Sequence, residues 1–241
     1  MSSTSPLSTI GLLGGMSWES SAVYYQQINQ HVRAALGGLH SAPMILDSVD
    51  FAQMAAWQQA GEWDKAAAHL SQRAQALETA GATCIAIATN TMHKVYDDIA
   101  RSVNVPVLHI AQPTIAALEQ AGIQRTAFLG TRYSMEQDFI RRVFEQSGIT
   151  LLMPDTADKA LVHDIIFNEL CQGTVNPSSR AQLQRIITDL AAQGAQGVVL
   201  GCTEIGLLLG ENDVKLPMFD TTPLHTKALA DVVLNGAHHA H

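Results

Sequence analysis

Short apolar runs alternate along the chain with longer amphipathic stretches. The short runs are apolar at successive positions rather than at every second one, which is typical of strands buried on both faces of a sheet. In chain order these runs are STIGLLG, PMILDSV, TCIAIAT, VPVLHI, RTAFLG, ITLLMP, GVVLGCT and VKLPMF. The stretches between them, such as residues 62–80 and 178–193, carry spaced apolar residues and good helix formers. The alternation predicts an α/β fold with mostly parallel strands joined by right-handed crossovers.

The two halves of the chain resemble each other. The segment LETAGATCIAIATNT, which begins at Leu77, aligns without a gap with LAAQGAQGVVLGCTE, which begins at Leu190. Upstream of these segments IGLLGG resembles AFLGT, and downstream the strand at Pro106 resembles the strand at Pro217. Three matches in the same order predict two duplicated, pseudo-symmetric lobes, each a mostly parallel four-stranded sheet flanked by helices.

The repeat also predicts where a functional site lies. We expect residues 8–112 and 214–236 to form lobe 1, and residues 113–213 to form lobe 2. The alignment pairs Thr89 with Cys202, and each follows an expected strand and precedes an expected helix. Open α/β sheets bind ligands at the carboxyl ends of their strands, where helix N-terminal N–H groups are available to an anion. We therefore expect the active site in a cleft between the lobes, with Thr89 and Cys202 on opposite walls.

Cys202 is the strongest candidate for covalent or proton-transfer chemistry. A helix N-terminus lowers the pKa of a thiol from about 8.5 toward neutrality and so favours the thiolate. The alternative is that Cys202 is a small buried hydrophobic residue, as free cysteines often are. Cys84, in the middle of a strand, and Cys171, late in a helix, are expected to fill the core. Three cysteines without a disulfide spacing fit a reducing cytoplasm.

The segment ATNTMH forms the other expected wall. Asn90 and Thr91 can donate hydrogen bonds to a substrate carboxylate, although helix capping alone would explain both residue types. His93 falls on the first turn of the following helix, and His225 follows the last expected strand. Either imidazole could orient or activate a thiol, and either could be a structural hydrogen bonder instead.

Several common catalytic motifs are missing from the sequence. GLLGGMSWES is glycine-rich, but it is neither the GxGxxG dinucleotide fingerprint, nor the GxxxxGK[ST] phosphate loop, nor the GxSxG nucleophile elbow. Close backbone approach to a small ligand remains possible at Gly14, Gly15 and Met16. The loop between Trp57 and Trp63 could cover the cleft as a lid or simply pack on the surface.

Composition and charge argue against several classes of function and location. A formal net charge of −8 argues against nucleic-acid binding, and no apolar run is long enough to span a bilayer. No basic residue precedes the first apolar stretch, so we expect no secretory signal and a cytoplasmic protein. No spacing of His, Cys and carboxylate residues suggests a metal site. The His-containing tail GAHHAH is expected to be a frayed terminus rather than a metal ligand.

The chain resembles the aspartate/glutamate racemase superfamily along nearly its whole length. The matching segments, in order, are IGLLGGMSWES, YYQQIN, GGLHSA, SVDF, TNTMH, LGTRYSMEQDF and GCTEIGLL. In that family one cysteine per lobe occupies the motifs CNTxH and GCTE. The chain is most similar to the broad-specificity racemases whose first motif reads TNTMH, with threonine in the cysteine's place.

The resemblance implies a racemase of small amino acids that uses no cofactor and works as a homodimer. One residue removes the Cα proton and another delivers a proton to the opposite face. By resemblance, Cys202 deprotonates the L-isomer and Thr89 lies opposite. The family residues that hold the α-carboxylate match Asn90, Thr91 and Thr203, with Thr131 as a weaker candidate. Fixed donors and the exclusion of water must stabilise the developing negative charge.

Two departures from the family pattern bear on mechanism and substrate. Thr89 has no useful acidity near neutral pH, so it either relays a proton through water or leaves reprotonation to solvent. Archaeal aspartate racemases grip the side-chain carboxylate with an Arg and a Lys, whose positions here fall in residues 55–58 and at Cys171. Neither offers a cation, and Gln58 is a polar substitute only. L-Glutamate, L-aspartate and neutral side chains such as that of homoserine therefore all remain candidates.

Two alternatives remain open at this stage. Superfamily decarboxylases of malonate-like acids also keep the second-lobe cysteine and lack the first, and their chemistry needs one proton donor. A catalytically weak protein that binds an amino acid between its lobes as a sensor also fits a chain in which the first cysteine is absent.

Overall fold

The computed structural model describes residues 7–210 and 212–235, which form two compact units. The first unit runs through His109 and resumes at Thr226, and the second comprises Ile110–His225. Residues 1–6, on which the expectation about a signal sequence partly rests, and the GAHHAH tail lie outside the described residues.

The first unit is built on a four-stranded parallel sheet. Its order is β2-β1-β3-β4, and helices separate its strands along the chain. The elements are β1 (Ile10–Gly14), α1 (Trp18–Leu36), β2 (Met44–Ser48), α2 (Phe51–Ala60), α3 (Trp63–Thr79), β3 (Cys84–Ile87), a 3-10 turn (Thr91–Val95), α4 (Tyr96–Ser102) and β4 (Val107–Leu108). Every strand predicted for this half is present, and α3 covers the helix expected over 62–80.

The second unit repeats this architecture with the sheet order β6-β5-β7-β8, again all parallel. Its elements are α5 (Ala111–Gln120), β5 (Arg125–Gly130), α6 (Arg132–Glu136), α7 (Asp138–Gln146), β6 (Thr150–Leu152), α8 (Thr156–Asn168), a 3-10 turn (Leu170–Gln172), α9 (Pro177–Ala192), β7 (Gly197–Gly201), α10 (Ile205–Leu208), β8 (Met218–Asp220) and α11 (Thr221–Asn235). The fold class is therefore α/β, with two parallel four-stranded sheets flanked by helices, as predicted.

The strand registers of the two sheets agree residue by residue with the sequence repeat. In the first sheet Leu13 pairs with Ile87, and in the second Leu129 pairs with Leu200. The outer strands agree as well, because the carbonyl of Pro106 accepts from Ile85 N as that of Pro217 accepts from Val198 N. The ungapped alignment of Thr89 with Cys202 thus describes equivalent strand-end positions in two copies of one motif.

The boundary between the two units differs from the one expected at residue 214. β8 pairs with β7, with Val198 opposite Met218 and Leu200 opposite Asp220, so residues 214–225 belong with the second unit. The chain returns to the first unit only at Thr226, within α11. The proline-strand match had placed β8 in the second copy of the repeat, and its hydrogen bonds agree with that match rather than with the expected boundary.

Burial on both faces explains why the central strands β1 and β3 are apolar at successive positions. Ile10, Leu12 and Cys84 pack on one face of the first sheet with Leu229 and Val233 of α11. Leu13, Ile85 and Ile87 pack on the other face with α3 residues such as Leu70 and Leu77. These two strands therefore send alternate side chains into two different cores, and no position on them is left for a charged residue.

Gly201 ends β7 directly before Cys202, and its position has no room for a side chain. A Cβ there would lie 2.1 Å from Cζ of Phe128, whose ring is fully buried. We expect Gly201→Ala to lower the free energy of unfolding by about 1–3 kcal/mol, the usual cost of overpacking a core. Urea denaturation followed by circular dichroism measures this. Gly210→Ala is the control, because its nearest contact would be an ordinary 3.6 Å to Asp213; equal effects of the two substitutions would contradict the prediction.

Candidate active site

Cys202 lies at the carboxyl end of β7 and is almost fully buried, with 7% of its surface exposed. Its Sγ is 3.0 Å from Oε2 of Glu204 and donates to it. Thr203 Oγ1 donates to the same oxygen over 2.6 Å. Glu204 is itself buried, so its carboxylate has little water to solvate it and is held by these two donors. The GCTE motif therefore builds a compact thiol–hydroxyl–carboxylate group.

The expectation of a lowered thiol pKa at Cys202 is wrong for this structure. Burial raises the pKa of the Cys202 thiol well above its usual value, and the negative charge of Glu204 and the nearby Cys171 raise it further. The helix expected to lower it, α10, has only four residues, and Glu204 occupies the position before it. The carboxylate of Glu204 is the acceptor that the thiol contacts in this structure, so it is the nearest group able to take the thiol proton.

Asp220 is a second carboxylate beside this group, and the sequence reasoning missed it. It ends β8, and its Oδ1 accepts a hydrogen bond of 2.9 Å from Thr222 N at the start of α11. Burial raises the pKa of Asp220 to about 6, with a further contribution from Glu204, while the hydrogen bond from Thr222 opposes the shift. The sequence signal was its position at the carboxyl end of the last apolar run of the second half.

Thr131 and Cys202 both follow strand-end glycines that pair with each other, Gly130 of β5 and Gly201 of β7. The hydroxyl of Thr131, however, already has a structural role. It caps α6 by accepting from Ser134 N, and it contacts Ser134 Oγ at 3.3 Å. The structure thus places Thr131 next to the Cys202 strand end but explains its side chain as a helix cap.

Thr89 occupies the equivalent strand end in the first unit and is half-buried. Its carbonyl is 2.9 Å from Nδ1 of His93. Because a carbonyl oxygen can only accept, Nδ1 carries a hydrogen and donates it to the Thr89 carbonyl. His93 therefore fixes the turn that carries Thr89, a role that the sequence left undecided.

Asn90 and Thr91 are both buried, and Thr91 begins a 3-10 turn where the sequence predicted a regular helix. Asn90 precedes the turn but makes no capping hydrogen bond to it. Helix capping, the structural alternative for an asparagine at this position, is therefore not the role of this side chain. The amide of Asn90 thus keeps its standing as a candidate carboxylate ligand.

A cluster of aromatic rings lies behind this turn. The rings of His93 and His109 are 4.4 Å apart between centroids, and Tyr96 approaches His109 at 4.6 Å. Tyr96 donates its hydroxyl hydrogen to the carbonyl of Val107 over 2.7 Å, which ties α4 to β4. Burial lowers the pKa of His109 to about 4, so this ring is neutral at physiological pH.

Gln58 and Met16 lie near the same motif. Gln58 is buried on α2, and its Nε2 contacts Sδ of Met92 at 3.1 Å. Met16 packs in the same apolar cluster as Met92. Close backbone approach does occur at Gly15, where a Cβ would lie 2.2 Å from the Val49 carbonyl oxygen, so its partner is the protein's own backbone.

The remaining candidates have structural explanations. Cys84 is fully buried in the middle of β3, and burial raises the pKa of its thiol to about 11, as suits a core residue. Trp57 and Trp63 both pack against the core of the first unit. His225 is fully buried on the first turn of α11.

Residues 7–210 and 212–235 contain neither a candidate metal site nor a candidate membrane-spanning helix. No group of three or more His, Cys, Asp or Glu side chains in this part of the chain is placed to hold a metal ion. Across the same residues, none of the helices has the length and apolar character needed to cross a membrane.

The chain is similar to known racemases in sequence and in structure. A protein from Yersinia pestis, described as a candidate Asp/Glu racemase, is 50% identical, with 95% of this chain and 100% of that chain covered and a TM-score of 0.89. An aspartate racemase homologue from Pyrococcus horikoshii is 31% identical, with 94% and 99% covered and a TM-score of 0.82. The broad specificity amino-acid racemase RacX of Bacillus subtilis is 24% identical over 161 residues, which cover 66% of this chain and 68% of that protein.

The family model for Asp/Glu/hydantoin racemases matches residues 13–229. This span contains both strand ends of the repeat, with Thr89 and the thiol–carboxylate group at Cys202. The chain therefore belongs to the Asp/Glu/hydantoin racemase family and is an isomerase.

Proposed function

We propose that the protein racemises small amino acids without a cofactor, with Cys202 as the base that acts on the L-isomer. The contact between Cys202 Sγ and Glu204 Oε2 carries the proposal. In the first step the thiol proton passes to the Glu204 carboxylate, and the thiolate then takes the Cα proton. The electron pair left on Cα is delocalised into the substrate carboxylate, and reprotonation from the other face completes inversion.

The position of Glu204 compensates for the raised pKa of the thiol. A buried thiol with no base nearby would remain protonated, because burial disfavours the thiolate. Glu204 is within hydrogen-bonding distance and can hold the proton without separating it from the site. The hydroxyl of Thr203, which donates to the same carboxylate oxygen, keeps that oxygen directed at the Cys202–Thr203 segment.

Thr89 is proposed to serve the opposite face of the substrate. A hydroxyl near neutral pH does not ionise as a thiol does, so its part is to hold a water molecule that delivers the proton. The contact of His93 with the Thr89 carbonyl supports this role, because it fixes the strand end where that water would bind. Because racemisation has an equilibrium constant of one, kcat/KM is equal for the two isomers. The asymmetry is expected instead as exchange of the Cα hydrogen of the L-isomer that is faster than its inversion.

The proposed substrates are small L-amino acids, including glutamate, aspartate and neutral ones such as homoserine. Asn90 and Thr91 are the proposed ligands of the α-carboxylate. Thr203, the third ligand that the resemblance implies, must give up the hydrogen bond from its hydroxyl to Glu204 in order to donate to substrate. Gln58 and Met16 are proposed to lie near the side chain of the substrate. At position 58 an amide replaces the cation that would favour acidic substrates. A homodimer in the cytoplasm completes the proposal. The homodimer rests on the family resemblance, and the cytoplasm rests on the three cysteines without a disulfide spacing.

We expect the wild-type protein to exchange the Cα hydrogen of an L-substrate with deuterated water, with no cofactor added. Cys202→Ala should lower this exchange by at least about 10²-fold, the usual contribution of a general base. Proton NMR of a panel of L- and D-amino acids measures the exchange and the substrate range. Cys84→Ala is the matched control, because it also removes a buried thiol but one in the core of β3. Undiminished exchange by a folded Cys202→Ala protein would refute the assignment.

Thr89→Cys should increase turnover of the D-isomer by at least about tenfold. The reason is that a thiol, with a pKa of about 8.5, can lose a proton near neutral pH, whereas a threonine hydroxyl cannot. Chiral chromatography of both directions of the reaction gives the ratio of rates. A D-isomer rate unchanged from wild type, in a variant whose L-isomer exchange persists, would show that Thr89 is not the residue opposite Cys202.

A further inference from the structure

The proposed reaction uses Cys202 and Glu204 and leaves the neighbouring carboxylate of Asp220 without a part in it. Asp220 is held close to them by the sheet. It lies opposite Leu200 in the pairing of β8 with β7, two residues before Cys202. Thr221 Oγ1 donates to the Leu200 carbonyl over 2.9 Å, which fastens the start of α11 to the end of β7.

The two oxygens of Asp220 have different surroundings. Oδ1 accepts from Thr222 N, as in an ordinary helix N-cap. Oδ2 lies against Gly206 of α10, where a Cβ would be only 2.4 Å from it. Glycine is a poor residue inside a helix, so its presence here makes room for the carboxylate rather than favouring the helix. Helix capping therefore explains the hydrogen bond to Oδ1, but it does not explain why a glycine at position 206 leaves space for Oδ2.

Glu204 lies between the other two acidic groups: Cys202 Sγ donates to its Oε2 over 3.0 Å, and Asp220 Oδ2 lies against Gly206, two residues after it. The charge of Glu204 raises the pKa of both Cys202 and Asp220. The titratable groups on the elements around Asp220 are Cys202 and Glu204 after β7, Cys171 on the 3-10 turn, His225 on α11 and the exposed Glu119 far along α5. When three acidic groups hold one proton, repulsion is least when the middle group is protonated and both ends are negative. Here the middle group is Glu204, and one of the ends is the Cys202 thiol.

We propose that Asp220 is a positioning residue whose negative charge drives the thiol proton of Cys202 onto Glu204 and so populates the thiolate. The step breaks the S–H bond of Cys202 and forms an O–H bond on Glu204, while Asp220 keeps its charge and exchanges no proton. This inference deepens the proposed racemase reaction and rests on it. An almost fully buried thiol is thereby activated without a cation.

The repeat makes the arrangement specific to one half of the molecule. Under the register equivalence Asp220 corresponds to His109, and Gly206 corresponds to His93. In the first unit these positions hold two imidazoles whose centroids are 4.4 Å apart. In the second unit the corresponding residues are Asp220, which carries a carboxylate, and Gly206, which has no side chain. The acidic arrangement thus accompanies the cysteine, and the imidazoles accompany the threonine.

Asp220→Asn tests the proposal, because asparagine caps a helix as well as aspartate does but carries no charge. The measurement is the rate at which iodoacetamide alkylates Cys202 between about pH 5 and pH 9, followed on the Cys202 peptide by mass spectrometry. In wild type the rate should rise as Asp220 ionises, near pH 6. In Asp220→Asn that rise should vanish, and at about pH 7.5 the rate should be at least about tenfold lower, since one pKa unit of interaction changes the thiolate population tenfold.

The control is Asp155→Asn, which makes the same change at an exposed N-cap of the second unit, that of α8. Its alkylation profile should match that of wild type. An Asp220→Asn profile within about twofold of wild type at every pH overturns the proposal, as does a wild-type Cys202 that is not alkylated below about pH 9. Alkylation needs no substrate, so its result is independent of whether the wild type exchanges the Cα hydrogen of amino acids.

Gly206→Ala is a second variant, which keeps the aspartate at position 220 but changes the space around it. The added methyl group would occupy the space of Oδ2 and push the carboxylate away. We expect it to slow the alkylation of Cys202 at about pH 7.5 in the same direction as Asp220→Asn, and to add little when combined with it. Full additivity of the two substitutions would show that they act on Cys202 separately.

The charge of Asp220 should also be visible in thermal stability. Its raised pKa means that the folded protein holds this proton more tightly than the unfolded chain does, so stability is lost as the pH rises through about 6. Asp220→Asn should therefore raise Tm by several degrees at about pH 7.5 and change it little at about pH 4. A residue that only caps α11 would give the same small shift at both pH values.

Discussion

The burial of both faces of each sheet is the constraint on which the rest of the molecule depends. Strands such as β1 and β3 send alternate side chains into two separate cores, so polar groups have no place along them. The carboxyl ends of the strands are where the chain leaves the cores, and the reactive side chains lie there. Thr89 and Cys202 both follow such ends, and Asp220 is the last residue of another.

This placement has an energetic cost at Cys202. The thiol, Glu204 and Asp220 lie in or near an environment that disfavours negative charge, and two of them have raised pKa values. A structure selected only for stability would replace such a group with apolar side chains. That the acidic groups sit together beside the thiol fits a site that gives up stability in order to move a proton.

The fold could be predicted from the sequence to a large extent, because its signals are local and repeated. All eight strands coincide with the predicted apolar runs, and the strand register confirms the ungapped alignment of the two halves. The expected boundary at 214 differs from the observed one, although the match between the strands at Pro106 and Pro217 already indicated that β8 pairs with β7. The pKa of Cys202 could not be predicted, because it depends on burial by residues distant in sequence, which outweighs a four-residue helix. Asp220 escaped notice because nothing in its local sequence places Gly206 against it.

The absent side chain at Gly206 has a consequence for how such proteins change over time. A methyl group at that position and a carboxylate at position 220 compete for one volume, so neither can be altered without regard to the other. Positions 206 and 220 should therefore vary together among related sequences, as a coupled pair. In the first unit the positions that match in the repeat hold His93 and His109, whose ring centroids are 4.4 Å apart, so each copy of the repeat can change this pair without altering the other.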